Sequence, residues 1–190
     1  PRVVVRLDHL RETVKVVREL CEKNHISITG VTKVFRGDPK IAQCYLDGGL
    51  TMLGDSRTEN LERMQSLSAE KWLIRPPMLS RAAETARYAD AALHSEWQVI
   101  EAVAAEAEKL GKKHKVILMA DLGDIREGYV DYDELLRVAA RVNTLPGAEL
   151  YGLGVNLTCF SFIQPDEEKM QLLAELARKA EEAAGHPLQV

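Results

Sequence analysis

The sequence predicts an α/β protein of (β/α)8 TIM-barrel type, incomplete at its carboxyl end. Short apolar runs rich in β-branched residues alternate along the chain with longer stretches whose apolar residues recur on one helical face. The strand-like runs are apolar on both faces, as buried parallel strands are, and no low-complexity linker interrupts them. Such alternation implies a parallel sheet, either closed as a barrel or doubly wound. A closed eight-unit barrel takes ~250 residues, and the chain has 190. A strand onset at its very end favours a barrel that stops early, so residues 1–190 are expected to form the amino-terminal portion of one.

The elements follow in order. Val3-Val4-Val5 with Arg6 and Leu7 reads as a short strand, and Asp8 as the N-cap of a helix over 8–24. The run 26–33 reads as a strand ending at Lys33. Gly37 and Pro39 mark a turn and a helix over 39–47, closed by Gly48-Gly49. Residues 50–54 are strand-like, and Asp55-Ser56 open a helix to Ser66. A strand at 71–75 precedes a short helix capped by Ser80. A strand at 89–94 precedes a helix from Ser95 to Leu110. The strongest strand, 115–121, precedes a helix starting at Asp131 or Asp133. Setting aside the first short strand, residues 149–156 form the sixth strand, and Asp166 opens the last helix. Leu188-Gln189-Val190 then begin another strand.

Bulk properties narrow the function classes. Hydrophobic content is 46%, charged content 28% and net charge −4, with the basic residues scattered. That balance argues against nucleic acid as the main partner. No run approaches the ~18 apolar residues of a membrane span. The three cysteines are isolated and odd in number, which fits a reducing cytoplasm better than a disulfide framework. No C-x-x-C or histidine cluster suggests a metal. An open sheet would expose strand edges, so self-association, as a homodimer, is expected.

In βα repeats the carboxyl ends of the strands carry the chemistry. An amine there, stripped of water, becomes a nucleophile or Schiff-base former; a solvated lysine capping the strand fits the same position. Beside Lys33, three strand ends are polar: 53–60 with Asp55, Arg57 and Asn60; 119–128 with Asp121, Asp124, Arg126 and Glu127; and 152–159 with Asn156 and Cys159.

On these segments, and on Ile74-Arg75-Pro76-Pro77-Met78-Leu79, the chain resembles the fold-type III pyridoxal-phosphate proteins: the alanine racemase N-terminal barrel family, ornithine racemase-like branch. The resemblance covers essentially the whole chain. It implies pyridoxal 5'-phosphate as cofactor, an amino acid as substrate, ornithine or a similar basic one favoured, and racemisation as the reaction. Lys33 matches the Schiff-base lysine, which also serves as base on one face. Arg126 matches the arginine near the cofactor's phenolic oxygen, and Asn156 falls where alanine racemases place a histidine against the ring. His94-Ser95 match a strand-end pair near the cofactor in related proteins, and Arg57 is a further cofactor or substrate contact. Gly37 and Met119 stand where alanine racemases carry a tyrosine and a modified lysine, which favours the ornithine racemase-like branch. The family's phosphate-binding loop falls past Val190, as does the carboxyl-terminal β-domain. The fragment alone is therefore expected to show little activity. The opposite-face base is unassigned, with Cys159 one candidate. A non-catalytic pyridoxal-phosphate carrier of the same barrel family is the alternative, and a Schiff-base aldolase barrel a third reading.

Overall fold

In the computed structural model, which describes residues 4–158 and 161–190, βα repeats run through two compact units, one ending at Ile74 and the other beginning at Arg75. In the first unit α1 (Leu7–Glu22) precedes β1 (Gly30–Val31), a 3-10 turn (Lys33–Phe35), α2 (Pro39–Asp47), β2 (Met52–Asp55), α3 (Thr58–Arg63) and β3 (Glu70–Leu73). The strands are parallel and adjacent in chain order, with Val31 opposite Gly54 and Asp55 opposite Leu73. Asp38 caps α2: its Oδ1 accepts from Lys40 N at 2.9 Å and Ile41 N at 3.3 Å, with Pro39 fixing the first helical φ.

The second unit holds a 3-10 turn (Leu79–Arg81), α4 (Ala82–Tyr88), β4 (Ala91–His94), α5 (Trp97–Lys109), β5 (His114–Met119), α6 (Tyr132–Val142), β6 (Ala148–Gly154) and α7 (Glu167–Ala184). Here too the strands are parallel neighbours in chain order, with His94 opposite Leu118 and Met119 opposite Gly154. Right-handed helical crossovers join such strands. Periodicity decides what is buried. α6 buries Leu135, Val138, Ala139 and Val142, and α7 buries Leu173, Leu176, Ala177 and Ala180, the same i, i+3, i+4, i+7 stripe. These pack with Val116, Leu118, Leu150 and Leu153 of the sheet in one core. Asp131 and Asp166 cap α6 and α7. After α7, Gln189 runs parallel to β6, its N–H donating to Tyr151 O at 3.0 Å and its carbonyl accepting from Leu153 N at 2.9 Å. Gly152 permits this approach, because a Cβ there would lie 2.5 Å from the Gln189 carbonyl oxygen. The expected seventh strand onset is therefore present.

Several boundaries differ from expectation. Val4 and Val5 pair with no strand among the described residues, being 68% and 47% exposed, and helix begins at Leu7. Val3 lies outside the described residues. Asp8 is not the N-cap; it sits in the first turn and pairs with Arg6 at 3.1 Å. The strand expected over 26–33 shrinks to Gly30–Val31, because Arg36 and Gly37 both take positive φ (56° and 63°) and the chain must leave the ladder at Thr32 to turn there. Asp55 ends β2 rather than opening a helix, since its carboxylate is spent on the loop that follows. Ser80 lies inside a 3-10 turn and Ser95 precedes the Glu96 cap of α5. Among the described residues no helix is long and apolar enough to cross a membrane, and no group of three His, Cys, Asp or Glu side chains is arranged to hold a metal ion.

Candidate functional site

In the first unit the polar residues gather on Asp55, which is fully buried at the end of β2. Its Oδ2 accepts from Thr32 Oγ1 at 2.7 Å, and its Oδ1 accepts from Asn60 Nδ2 at 2.9 Å and from the Arg57 N–H at 3.1 Å. Three donors, none of them a cation, satisfy a carboxylate closed off from water. Thr32 is thus tied to β2 twice, since its N–H also donates to Gly54 O at 2.8 Å. Lys33 follows directly as the first residue of the 3-10 turn, and it is exposed. Its exposure departs from the expectation of an amine stripped of water: the chain leaves the ladder one residue earlier, so Lys33 belongs to the turn and not to the buried strand. The far side of the turn is held as well. Arg63 Nη1 donates to Arg36 O at 2.7 Å, and a Cβ on Gly37 would lie 2.6 Å from Asn60 O. Arg57 is exposed at the N-cap of α3.

In the second unit, the loop after β5 and the end of β6 meet at Glu127. Asn156 Nδ2 donates to Glu127 Oε1 at 2.8 Å, and Arg126 Nε lies 3.5 Å from Glu127 Oε2. The Glu127 side chain is 7% exposed and that of Arg126 33%. Arg126 and Asn156, both expected at the site, are therefore brought together by a carboxylate whose bridging role sequence reasoning missed. Their spacing of about thirty positions gave no local pattern to find it. The neighbouring acids hold the loops. Asp121 Oδ1 accepts from Gly123 N at 2.7 Å and Ile125 N at 3.2 Å, and buried Asp124 accepts from Ser161 N at 3.0 Å and Ser161 Oγ at 2.6 Å. Cys159 lies outside the described residues.

His94 ends β4, fully buried, with its Nε2 3.2 Å from Nε2 of His114 at the start of β5. Burial holds the His94 imidazole well below its usual range, and His114 adds to this. Burial likewise lowers His114 to about 4, helped by the Lys112 ammonium and opposed by the Ala89 carbonyl. His94 Nδ1 and Ser95 Oγ are buried and have no hydrogen-bond partner among the described residues. His114 was not foreseen; its place before the apolar run of β5 was the available signal.

A parallel βα-repeat with polar groups at its strand ends is a barrel-type arrangement, and the comparisons specify which family it belongs to. Residues 5–190 match the model of the alanine racemase N-terminal domain. The chain belongs to that family. It is 32% identical to the ornithine racemase of Acetoanaerobium sticklandii over 177 residues, covering 93% of this chain and 50% of that protein. It is also 32% identical to the lysine racemase of Thermotoga maritima over 192 residues, covering 100% of this chain and 53% of that protein. The chain thus spans about half the length of these curated relatives. Among solved structures, an alanine racemase of Clostridium difficile matches with a TM-score of 0.78 at 17% identity, over 97% of this chain and 50% of that one. PipY of Synechococcus elongatus with PLP bound matches with a TM-score of 0.73 at 15% identity, over 92% of this chain and 85% of that one. The fold is the TIM-barrel type expected from the sequence.

Proposed function

We propose that this chain is the amino-terminal part of a pyridoxal-phosphate-dependent amino-acid racemase acting on a basic amino acid such as ornithine or lysine. The observation that carries the proposal is the 32% identity to an ornithine and a lysine racemase over 93% or more of the chain. The residues present also fit the cofactor. Two orphaned polar atoms at the end of β4, His94 Nδ1 and Ser95 Oγ, are unlike a structural strand end, where buried polar groups are satisfied.

When bound, pyridoxal phosphate supplies the electron sink that makes an amino acid's α-proton removable. In this reading Lys33 would hold the cofactor, and its amine would serve as the base on one face. Arg126 directs positive charge at the cofactor's phenolic oxygen, and Glu127 keeps that guanidinium and the Asn156 amide in register. His94, Ser95 and Arg57 would be further contacts of the cofactor, or in the case of Arg57 of the substrate. A homodimer, to be measured by sedimentation, is part of this reading, and a cytoplasmic location agrees with the free thiols of Cys21 and Cys44.

The whole protein is expected to show a cofactor absorbance band that disappears in Lys33→Ala; a band that survives rejects the role of Lys33. The similarity to PipY favours a second reading, a pyridoxal-phosphate carrier. Incubation with L- and D-ornithine in deuterated water separates the two, because a carrier binds cofactor and exchanges no α-proton.

A further inference from the structure

The loops after β5 and β6 each hold a β-branched residue in the left-handed region. Ile125, with φ 52°, directly precedes Arg126, and Thr158, with φ 67°, shortly follows Asn156. A branched Cβ is crowded by the neighbouring carbonyl there, so the conformation persists only where surrounding contacts impose it. Burial does not impose it, because Ile125 is 79% exposed and Thr158 is exposed too.

Hydrogen bonds do. Asp121 Oδ1 accepts from the Ile125 N–H at 3.2 Å. Asp124, 2% exposed, takes the Ser161 N–H at 3.0 Å and Ser161 Oγ at 2.6 Å on one oxygen, Oδ1. Ser161 Oγ accepts in turn from the Ile163 N–H at 3.2 Å, so one hydroxyl folds its own loop and fastens it to the loop after β5. The bond from Asn156 to Glu127 is a second tie between the same loops. Both strained residues lie between the ties, Ile125 between Asp124 and Glu127 and Thr158 between Asn156 and Ser161. The second tie joins two side chains, which can turn together. The first reaches main-chain N–H groups and so holds the backbone itself.

We infer that Asp124 and Ser161 are positioning residues: their bond keeps Ile125 and Thr158 left-handed, and thereby holds Arg126 and Asn156 in place before a ligand arrives. The inference rests on the reading that the cofactor binds at Arg126 and Asn156, and it names what prepares them. Relaxation of Ile125 to an ordinary φ would redirect the chain at Arg126 and swing the guanidinium off its place.

Selective carbon-13 labelling of isoleucine and threonine in the whole protein, free of cofactor, reads both conformations from the Cα and Cβ resonances. Ser161→Ala should move the Ile125 and Thr158 resonances away from left-handed values and raise the dissociation constant of pyridoxal phosphate about tenfold. Ser161→Thr, which restores the hydroxyl, should restore both. Asp124→Ala removes the other half of the tie and should displace the same resonances at least as far. Resonances that stay in place in both alanine variants overturn the inference. Ile125→Asn separates positioning from mere support of the fold, since asparagine tolerates the left-handed region. In that background Ser161→Ala should raise the constant only about two- to threefold, and an undiminished tenfold loss overturns the inference. A wild-type protein that binds no pyridoxal phosphate would sink the reading of the site, while the resonances would still decide whether Asp124 and Ser161 hold the two loops.

Discussion

Glu127 accepts the Asn156 amide at 2.8 Å and faces the Arg126 guanidinium with its other oxygen, so one nearly buried carboxylate serves two candidate cofactor residues from different loops. Removing it leaves a guanidinium without its counter-ion and an amide without its acceptor. Glu127→Ala is expected to weaken pyridoxal phosphate binding by about ten- to a hundredfold in the whole protein. Glu127→Gln, which retains an acceptor for Asn156 and loses the charge for Arg126, should fall between. Titration of cofactor absorbance checks this, and equal affinities in all three proteins would show that the bridge is idle.

Asp55 makes a comparable link one residue from Lys33. Asp55→Ala leaves the Asn60 amide and the Arg57 N–H without their acceptor, which costs roughly 2–3 kcal/mol, while Thr32 Oγ1 keeps Gly54 O at 3.2 Å. That corresponds to a fall in melting temperature of roughly 5–10 °C for a chain of this size. Thr32→Val should cost less, about 1 kcal/mol, and Thr32→Ser should restore most of it. Calorimetry or thermal circular dichroism measures all three, and a melting temperature unmoved by Asp55→Ala would mean that the carboxylate does not hold this turn.

The histidine pair makes an acid-stability prediction. Both folded imidazoles bind a proton less readily than free histidine, with its value near 6.5, and His114 is brought down to about 4. Between those values the unfolded chain holds more protons than the folded one, so stability is lost as pH falls through 6.5 towards 4. The slope is at most about 1.4 kcal/mol per pH unit for each group. Urea unfolding at pH 7.5 and pH 5 should show a lower midpoint in acid, and His114→Gln should reduce that difference. Equal pH dependence in the variant would remove the pair as its source.

The strand–helix alternation was legible because buried parallel strands and amphipathic helices each impose a period on the side chains. Helix starts were legible at α2 from Gly37 and Pro39, and at α6 and α7 from an aspartate binding its own loop, Asp131 and Asp166. They were misplaced at Asp8, Ser80 and Ser95, where the backbone turns without help from the residue's own side chain. The extent of β1 was overestimated because its β-branched residues say nothing about how early the chain must bend to reach the left-handed pair Arg36-Gly37. Lys33, Arg57, His94, Ser95, Arg126 and Asn156 could be singled out from strand ends and family resemblance. Their partners could not: Glu127 and His114 act across loops and strands that only folding brings together.

The register between β5 and β6 slips by one position, Val116 facing Leu150 while Ile117 faces Gly152, with Tyr151 as the extra residue. Beyond that point every β6 side chain is offset by a single step, and Asn156 inherits the offset. The count of residues there is fixed by this geometry: a deletion would turn the end of β6 over and carry the asparagine amide away from Glu127.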